Sequence, residues 1–173
     1  MRDHIALVGF MAAGKSTIGK QVARKLHMPL VDIDDVIAQG HGPIENIFHS
    51  EGEPAFRRYE REAIARALSE EPAVLALGGG ALGCSPTRQL LRKRAYRVFI
   101  KVAPERIFGR LRRARRVRPV LGRAPSRSKL WDLYAARLPW YAEADLTVEA
   151  TDLKIAEIVK HIVEWMHTKK LSL

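Results

Sequence analysis

A chain of 173 residues has room for one compact domain with an adequate core and little for a separate partner module. No apolar run is long enough to span a bilayer, no signal or transit segment precedes the first strand, and a single cysteine, Cys84, excludes an internal disulfide and a cysteine-built zinc site, so a cytoplasmic protein without redox chemistry is expected. The net charge of +11 invites a polyanion partner, yet residues 106–129 hold ten cations and no acid, and the rest of the chain is nearly neutral.

The first apolar run, residues 5–8, predicts a strand. It leads straight into Gly9-Phe10-Met11-Ala12-Ala13-Gly14-Lys15-Ser16-Thr17, a loop of the form G-x-x-x-x-G-K-[ST], and then into an amphipathic helix over 17–26 that starts near Lys15. Such a loop wraps a phosphate with its backbone N–H groups, and the helix aims the positive end of its dipole at the same anion. Lys15 brings a cation to the β- and γ-phosphates and Ser16 a hydroxyl for Mg²⁺. A bland glycine-rich turn has no need of strand, helix and Lys-Ser-Thr triplet together, so the expected ligand is a nucleoside triphosphate.

Residues 30–32 predict the second strand, with Asp32-Ile33-Asp34-Asp35 at its carboxyl end. Alternate residues of an extended chain share a face, which makes Asp32 and Asp34 a pair converging on one crevice. One carboxylate near Ser16 suits a water of a Mg²⁺ shell, since this ion keeps several waters and takes few protein ligands. The other suits an acceptor hydroxyl, and Asp35 is placed to cap a short helix over 36–39.

Further on, Ile44-Glu45-Asn46-Ile47-Phe48 precedes an amphipathic helix over 53–68 opened by Glu53-Pro54-Ala55-Phe56-Arg57-Arg58-Tyr59-Glu60. A third strand, 73–77, ends in the bare backbone of Gly78-Gly79-Gly80; Ser85-Pro86 reads as a cap with proline at the first helical position; and a fourth strand, 97–102, is followed by a helix over 104–111. Most arginines of the basic run read as a solvated face, with Arg118 singled out as a fork that closes over nucleotide phosphates. After a strand over 146–148, Ile155, Ile158, Val159, Ile162, Val163 and Met166 recur at three- and four-residue spacing as a core-facing stripe, with Thr151 or Asp152 as its cap. Strands and helices in alternation predict an α/β fold, a parallel sheet with helices on both faces and the ligand crevice beyond the carboxyl ends of the strands. There is no internal repeat or low-complexity linker.

In order along nearly the whole chain, GFMAAGKST, DID, EGE-x-x-FRR-x-E, LGGGA, R-x-R-P-V-L and R-L-P-W-Y resemble the motifs of the shikimate kinases. The resemblance implies a three-layer P-loop fold of the nucleoside-monophosphate-kinase-like class, with a five-stranded parallel sheet, a substrate-binding region over about 33–61 and a mobile arginine-rich lid over about 111–125, in one domain spanning 1–173. It implies transfer of the ATP γ-phosphoryl group to the 3-hydroxyl of shikimate, on the way to chorismate and the aromatic amino acids, by a monomer that uses Mg²⁺.

Position by position, the resemblance assigns Lys15, Asp34 and Arg118 to catalysis, with Asp34 as the base at the acceptor hydroxyl. ATP falls to Ala12, Ala13, Gly14, Lys15, Ser16, Thr17, Arg110 and Arg118, and Mg²⁺ to Ser16 directly and Asp32 through water. The acceptor falls to Asp34, Gly78, Gly79, Gly80, Arg58 and Arg137, the two arginines taking its carboxylate, as bidentate guanidinium does well. Ala12 stands where the family commonly has glycine, so the backbone there must take a conformation that alanine tolerates; Val148-Glu149-Ala150-Thr151 departs from the usual adenine segment, and no adenine contact is assigned. Two other readings are a sister small-molecule kinase such as a gluconate kinase, against which the DID, FRR and GGG set argues, and a non-catalytic binding module, against which Lys15, Asp34 and Arg58 argue.

Overall fold

A computed structural model describes residues 2–113, 120 and 126–170. Five strands, β1 (His4–Val8), β2 (Leu30–Asp32), β3 (Val74–Ala76), β4 (Ala95–Lys101) and β5 (Leu146–Glu149), form one parallel sheet in the order β2-β3-β1-β4-β5. All five lie within two residues of the predicted runs. The central strands are continuous apolar runs, buried from both sides, as a parallel sheet requires.

The helices are α1 (Lys15–Leu26), α2 (Ile33–His41), α3 (Ile44–Ser50), α4 (Gly52–Ala67), α5 (Ser85–Arg94), α6 (Pro104–Arg113), α7 (Arg127–Tyr141) and α8 (Ile155–Lys170). Among the helices, α1 packs with α8, α4 with α5, and α6 with α7; right-handed crossovers between parallel strands place the first pair on the face opposite the others. Among the described residues no helix is long and apolar enough to cross a membrane. Residues 114–119 and 121–125, including Arg118 and most of the expected lid, lie outside the described residues.

Several expectations need correction. The helix after β2 starts at Ile33 rather than at residue 36, with Asp32 as its cap, so Asp32 and Asp34 are not alternate residues of a strand. The residue flanking α5 is Cys84, half-buried, and Pro86 falls one position later than expected. Neither Thr151 nor Asp152 caps α8: the Thr151 hydroxyl accepts the Ala103 N–H, Asp152 pairs with Arg106, and Glu157 reaches back to the Lys154 N–H at 2.8 Å. In the α8 stripe Ile158, Val159, Ile162 and Met166 are buried, whereas Ile155, the first residue of the helix, is 40% exposed. Helix α7 has no counterpart in the apolar pattern, because its apolar residues run round the helix and Pro139 lies inside it.

Candidate active site

The phosphate loop leaves β1 at Gly9, whose φ of +143° and close approach to the Ile100 carbonyl, 2.7 Å from where a Cβ would stand, admit only glycine. Ala12 takes a left-handed φ of 59°, a conformation alanine tolerates at some cost, and the exposed Arg110 donates to its carbonyl at 2.9 Å. Lys15 begins α1 almost buried, its Nζ donating to the carbonyls of Gly9 and Phe10 at 2.8 Å each. Ser16 Oγ donates to Asp32 Oδ2 at 2.5 Å, while Asp32 Oδ1 accepts the Asp34 N–H at 3.1 Å. What brings Asp32 and Asp34 together is thus a helix cap: Asp32 ends the strand and bonds the first turn of α2, in which Asp34 is the second residue.

These residues surround a cavity of about 330 Å³ lined by Ala12, Gly14, Lys15, Ser16, Thr17, Asp32 and Asp34 among others. Ala13 is not part of the lining; it is buried beneath the loop, where its N–H closes a turn onto the Phe10 carbonyl. A second cavity, about 430 Å³, is walled by α2, α3, α4, the Gly78-Gly79-Gly80 loop and Arg137 of α7, with Val120 also contributing. Met11, Asp34, Gly78 and Gly79 line both cavities, so Asp34 stands at their common wall.

The second cavity contains Arg57 and not Arg58. Successive helical residues are turned by about 100°. The buried face of α4 runs through Phe56, Glu60 and Ile64; Arg57 borders it, and Arg58 points to solvent, where its guanidinium lies 4.9 Å over the Tyr59 ring and donates to the Tyr59 hydroxyl. Of the two arginines, Arg57 therefore lines this cavity, and Arg58, to which the resemblance assigns the acceptor carboxylate, does not. Arg57 donates to Glu60 Oε2 at 2.8 Å and to Glu53 Oε1 at 3.1 and 2.9 Å. Burial disfavours its cation, but these carboxylates outweigh burial and hold its pKa above the ordinary guanidinium value.

Glu60, which sequence reasoning passed over, is 2% exposed, and its Oε1 has no hydrogen-bond partner among the described residues. Burial pushes its pKa up against the pull of Arg57, and the negative Asp34 adds to the rise. Its carboxylate also explains the glycine at 78, where a Cβ would overlap Glu60 Oε1. Opposite, Arg137 is 4% exposed with its guanidinium 5.5 Å from the Phe10 ring centroid, and burial, reinforced by the like charge of Arg57, lowers its pKa. Two guanidinium groups that repel one another across a cavity, one of them desolvated, make a strong receptor for a carboxylate. The signal that would have found Arg57 and Glu60 is the helix phase set by Phe56 and Ile64.

One cavity can thus hold a polyphosphate, the other a small anionic polyol, with a carboxylate between them. A model of the shikimate kinase family matches residues 11–167. The curated shikimate kinase of Nitrobacter winogradskyi is 43% identical over 166 residues, 95% of this chain and 77% of that one. Among solved structures, shikimate kinase from Acinetobacter baumannii in complex with shikimate is similar with a TM-score of 0.92 at 34% identity, over 99% of this chain and 96% of that one. A gluconokinase from Sinorhizobium meliloti, with a TM-score of 0.63 at 20% identity over 98% of this chain and 99% of that one, shares the fold alone. With relatives matched over nearly its full length and a site built for phosphate on one side and an anionic acceptor on the other, the chain belongs to the shikimate kinase family.

Proposed function

We propose that the chain moves the γ-phosphoryl group of ATP to the 3-hydroxyl of shikimate, giving shikimate 3-phosphate and ADP, and that it does so by placing the two substrates on either side of Asp34. The observation that carries this reading is the common wall: Asp34 lines both cavities, with Lys15 beyond it on one side and Arg57 and Arg137 on the other. The phosphate loop holds the polyphosphate, and Lys15 exchanges its bonds to the Gly9 and Phe10 carbonyls for the transferring phosphate. Arg57 and Arg137 take the acceptor carboxylate, and the triglycine backbone takes ring hydroxyls. Asp34 orients the 3-hydroxyl and accepts its proton as the new O–P bond forms and the bond from the γ-phosphorus to the bridging oxygen breaks, the electron pair leaving on ADP.

Ser16 and Asp32 suit Mg²⁺: a hydroxyl and a carboxylate, both oxygen donors, converge at the donor cavity, Ser16 to ligate directly and Asp32 through water. When bound, this ion neutralises charge on the β- and γ-phosphates. Arg110 from α6 and Arg118 from the lid would complete the phosphate side. The proposed enzyme is a monomeric, single-domain cytoplasmic protein, with a substrate-binding region over 33–61 and a lid over 111–125.

Release of ADP from the purified protein with ATP and Mg²⁺ tests this, run in parallel with shikimate, gluconate or no acceptor. Release that depends on shikimate alone is expected. Release with gluconate alone would move the chain to a sister activity, and equal release in all three arms would overturn the acceptor assignment.

A further inference from the structure

Tyr141 is the last residue of α7 and is 1% exposed, its ring stacked on Phe99 at 5.0 Å between centroids. A ring buried this way packs equally well without an oxygen, yet this one carries a hydroxyl used twice. It donates to the Gly79 carbonyl at 2.5 Å, and its oxygen interacts with the guanidinium of Arg137, one turn earlier on the same helix. The one proton serves the carbonyl, and the oxygen's lone pairs are left to face the cation. Burial, against the pull of Arg137, pushes the phenol pKa well above its ordinary value, so the proton stays in place at any working pH.

The triglycine loop shows what this bond controls. Carbonyls of Gly78 and Gly80 are held by local turns, accepting the N–H groups of Ala81 and Gly83 at 3.2 and 3.0 Å. The Gly79 carbonyl is held by Tyr141 instead. In a trans peptide the carbonyl and the next N–H point in opposite directions, so fixing Gly79 C=O also fixes the Gly80 N–H. Both Gly79 and Gly80 line the acceptor cavity, as does Arg137.

We infer that Tyr141 is a positioning residue for the acceptor, one hydroxyl that locks the Gly79–Gly80 peptide and the Arg137 guanidinium in the relative orientation a single small anion requires. It touches neither substrate; it keeps two of the acceptor's partners from drifting independently. The inference rests on reading the larger cavity as the acceptor site.

Tyr141→Phe removes the oxygen and leaves the stacked ring, and steady-state ADP release read against shikimate and against ATP tests it. The expected result is a rise of about tenfold in the shikimate KM with the ATP KM as in the wild type, beside a modest fall in thermal midpoint from the unpaired Gly79 carbonyl. Arg137→Lys combined with Tyr141→Phe should cost less than the product of the two single effects, because each single change already breaks the shared arrangement. A Tyr141→Phe enzyme with the wild-type shikimate KM overturns the inference, as does a parallel rise in both KM values, which would mark a packing role only. Wild-type protein that releases no ADP on shikimate would instead bring down the acceptor reading itself, and this inference with it.

Discussion

Replacing Arg57 and Arg58 separately tests the acceptor site most sharply, because the two are neighbours in sequence and only one of them is expected to matter to the acceptor. Arg57→Ala is the wrong perturbation: it would strand the Glu60 carboxylate, whose side chain is 3% exposed, and breaking a buried pair in this way costs about 3–5 kcal/mol. Arg57→Lys keeps a positive charge near Glu60, now 2.8 Å from the guanidinium, but loses the planar fork. A charge-assisted hydrogen bond to the substrate carboxylate is worth about 1.5–3 kcal/mol, so its loss should raise the shikimate KM roughly ten- to hundredfold. Arg58→Ala removes an exposed cation resting on Tyr59 and should leave that KM within about twofold. The assay is coupled ADP release with shikimate titrated at saturating ATP, the ATP KM serving as the internal control. An Arg58→Ala enzyme with a tenfold higher shikimate KM beside an unaffected Arg57→Lys enzyme would refute the helix-phase argument.

Asp34→Asn should nearly abolish transfer while sparing ATP binding, measured as turnover beside a nucleotide titration; wild-type turnover by the variant would sink the role given to Asp34. Ala12→Gly relieves a left-handed φ of 59° and should raise stability by up to about 1 kcal/mol in urea unfolding, and a loss of stability would show that the loop is unstrained there. His4 lies buried at the opposite end of the sheet, where Nδ1 accepts the Ala73 N–H at 3.2 Å; burial lowers its pKa below 6.5, Arg94 adding to the shift and Asp3 opposing it. The unfolded chain then binds this proton more readily, so the stability His4 contributes is full above pH 6.5 and is lost as pH falls through the lower folded value. Urea midpoints at about pH 7.5 and 5.5 should differ less in His4→Asn than in the wild type, and an unchanged difference would remove His4 from the account.

Elements whose residues face one environment were legible from the chain. The strands stood out as short apolar runs, and the phosphate loop, which depends on backbone and on residues adjacent in sequence, could be read whole: Gly9, Gly14, Lys15 and Ser16 stand where the motif requires. Difficulty began where a role depends on rotation about a helix axis. Two adjacent arginines are equivalent in a motif string and about 100° apart on α4, and without the buried stripe of Phe56, Glu60 and Ile64 nothing separated them. The pairing of Asp32 and Asp34 was anticipated through strand alternation, whereas the chain turns into α2 immediately and the contact arises from capping. Tyr141 escaped notice because its partners are a backbone carbonyl 62 positions away in sequence and a side chain one turn back, and neither leaves a trace in composition or periodicity.

β1 and β3 are neighbours in the sheet, Leu7 opposite Ala76, and the Leu77 N–H donates to the Leu7 carbonyl at 3.2 Å. One strand runs on into the phosphate loop and the other into the triglycine loop, so under the proposed function the floors beneath the two substrates are carried by rods one strand spacing apart, about 4.8 Å. The gap that a phosphoryl group must cross is therefore gauged by main-chain hydrogen bonds, a dimension that side-chain replacement hardly touches. Substitutions on the surrounding helices can change which alcohol rests on the second floor without resetting that gauge. A gluconokinase 20% identical to this chain shares the fold that carries these two strands.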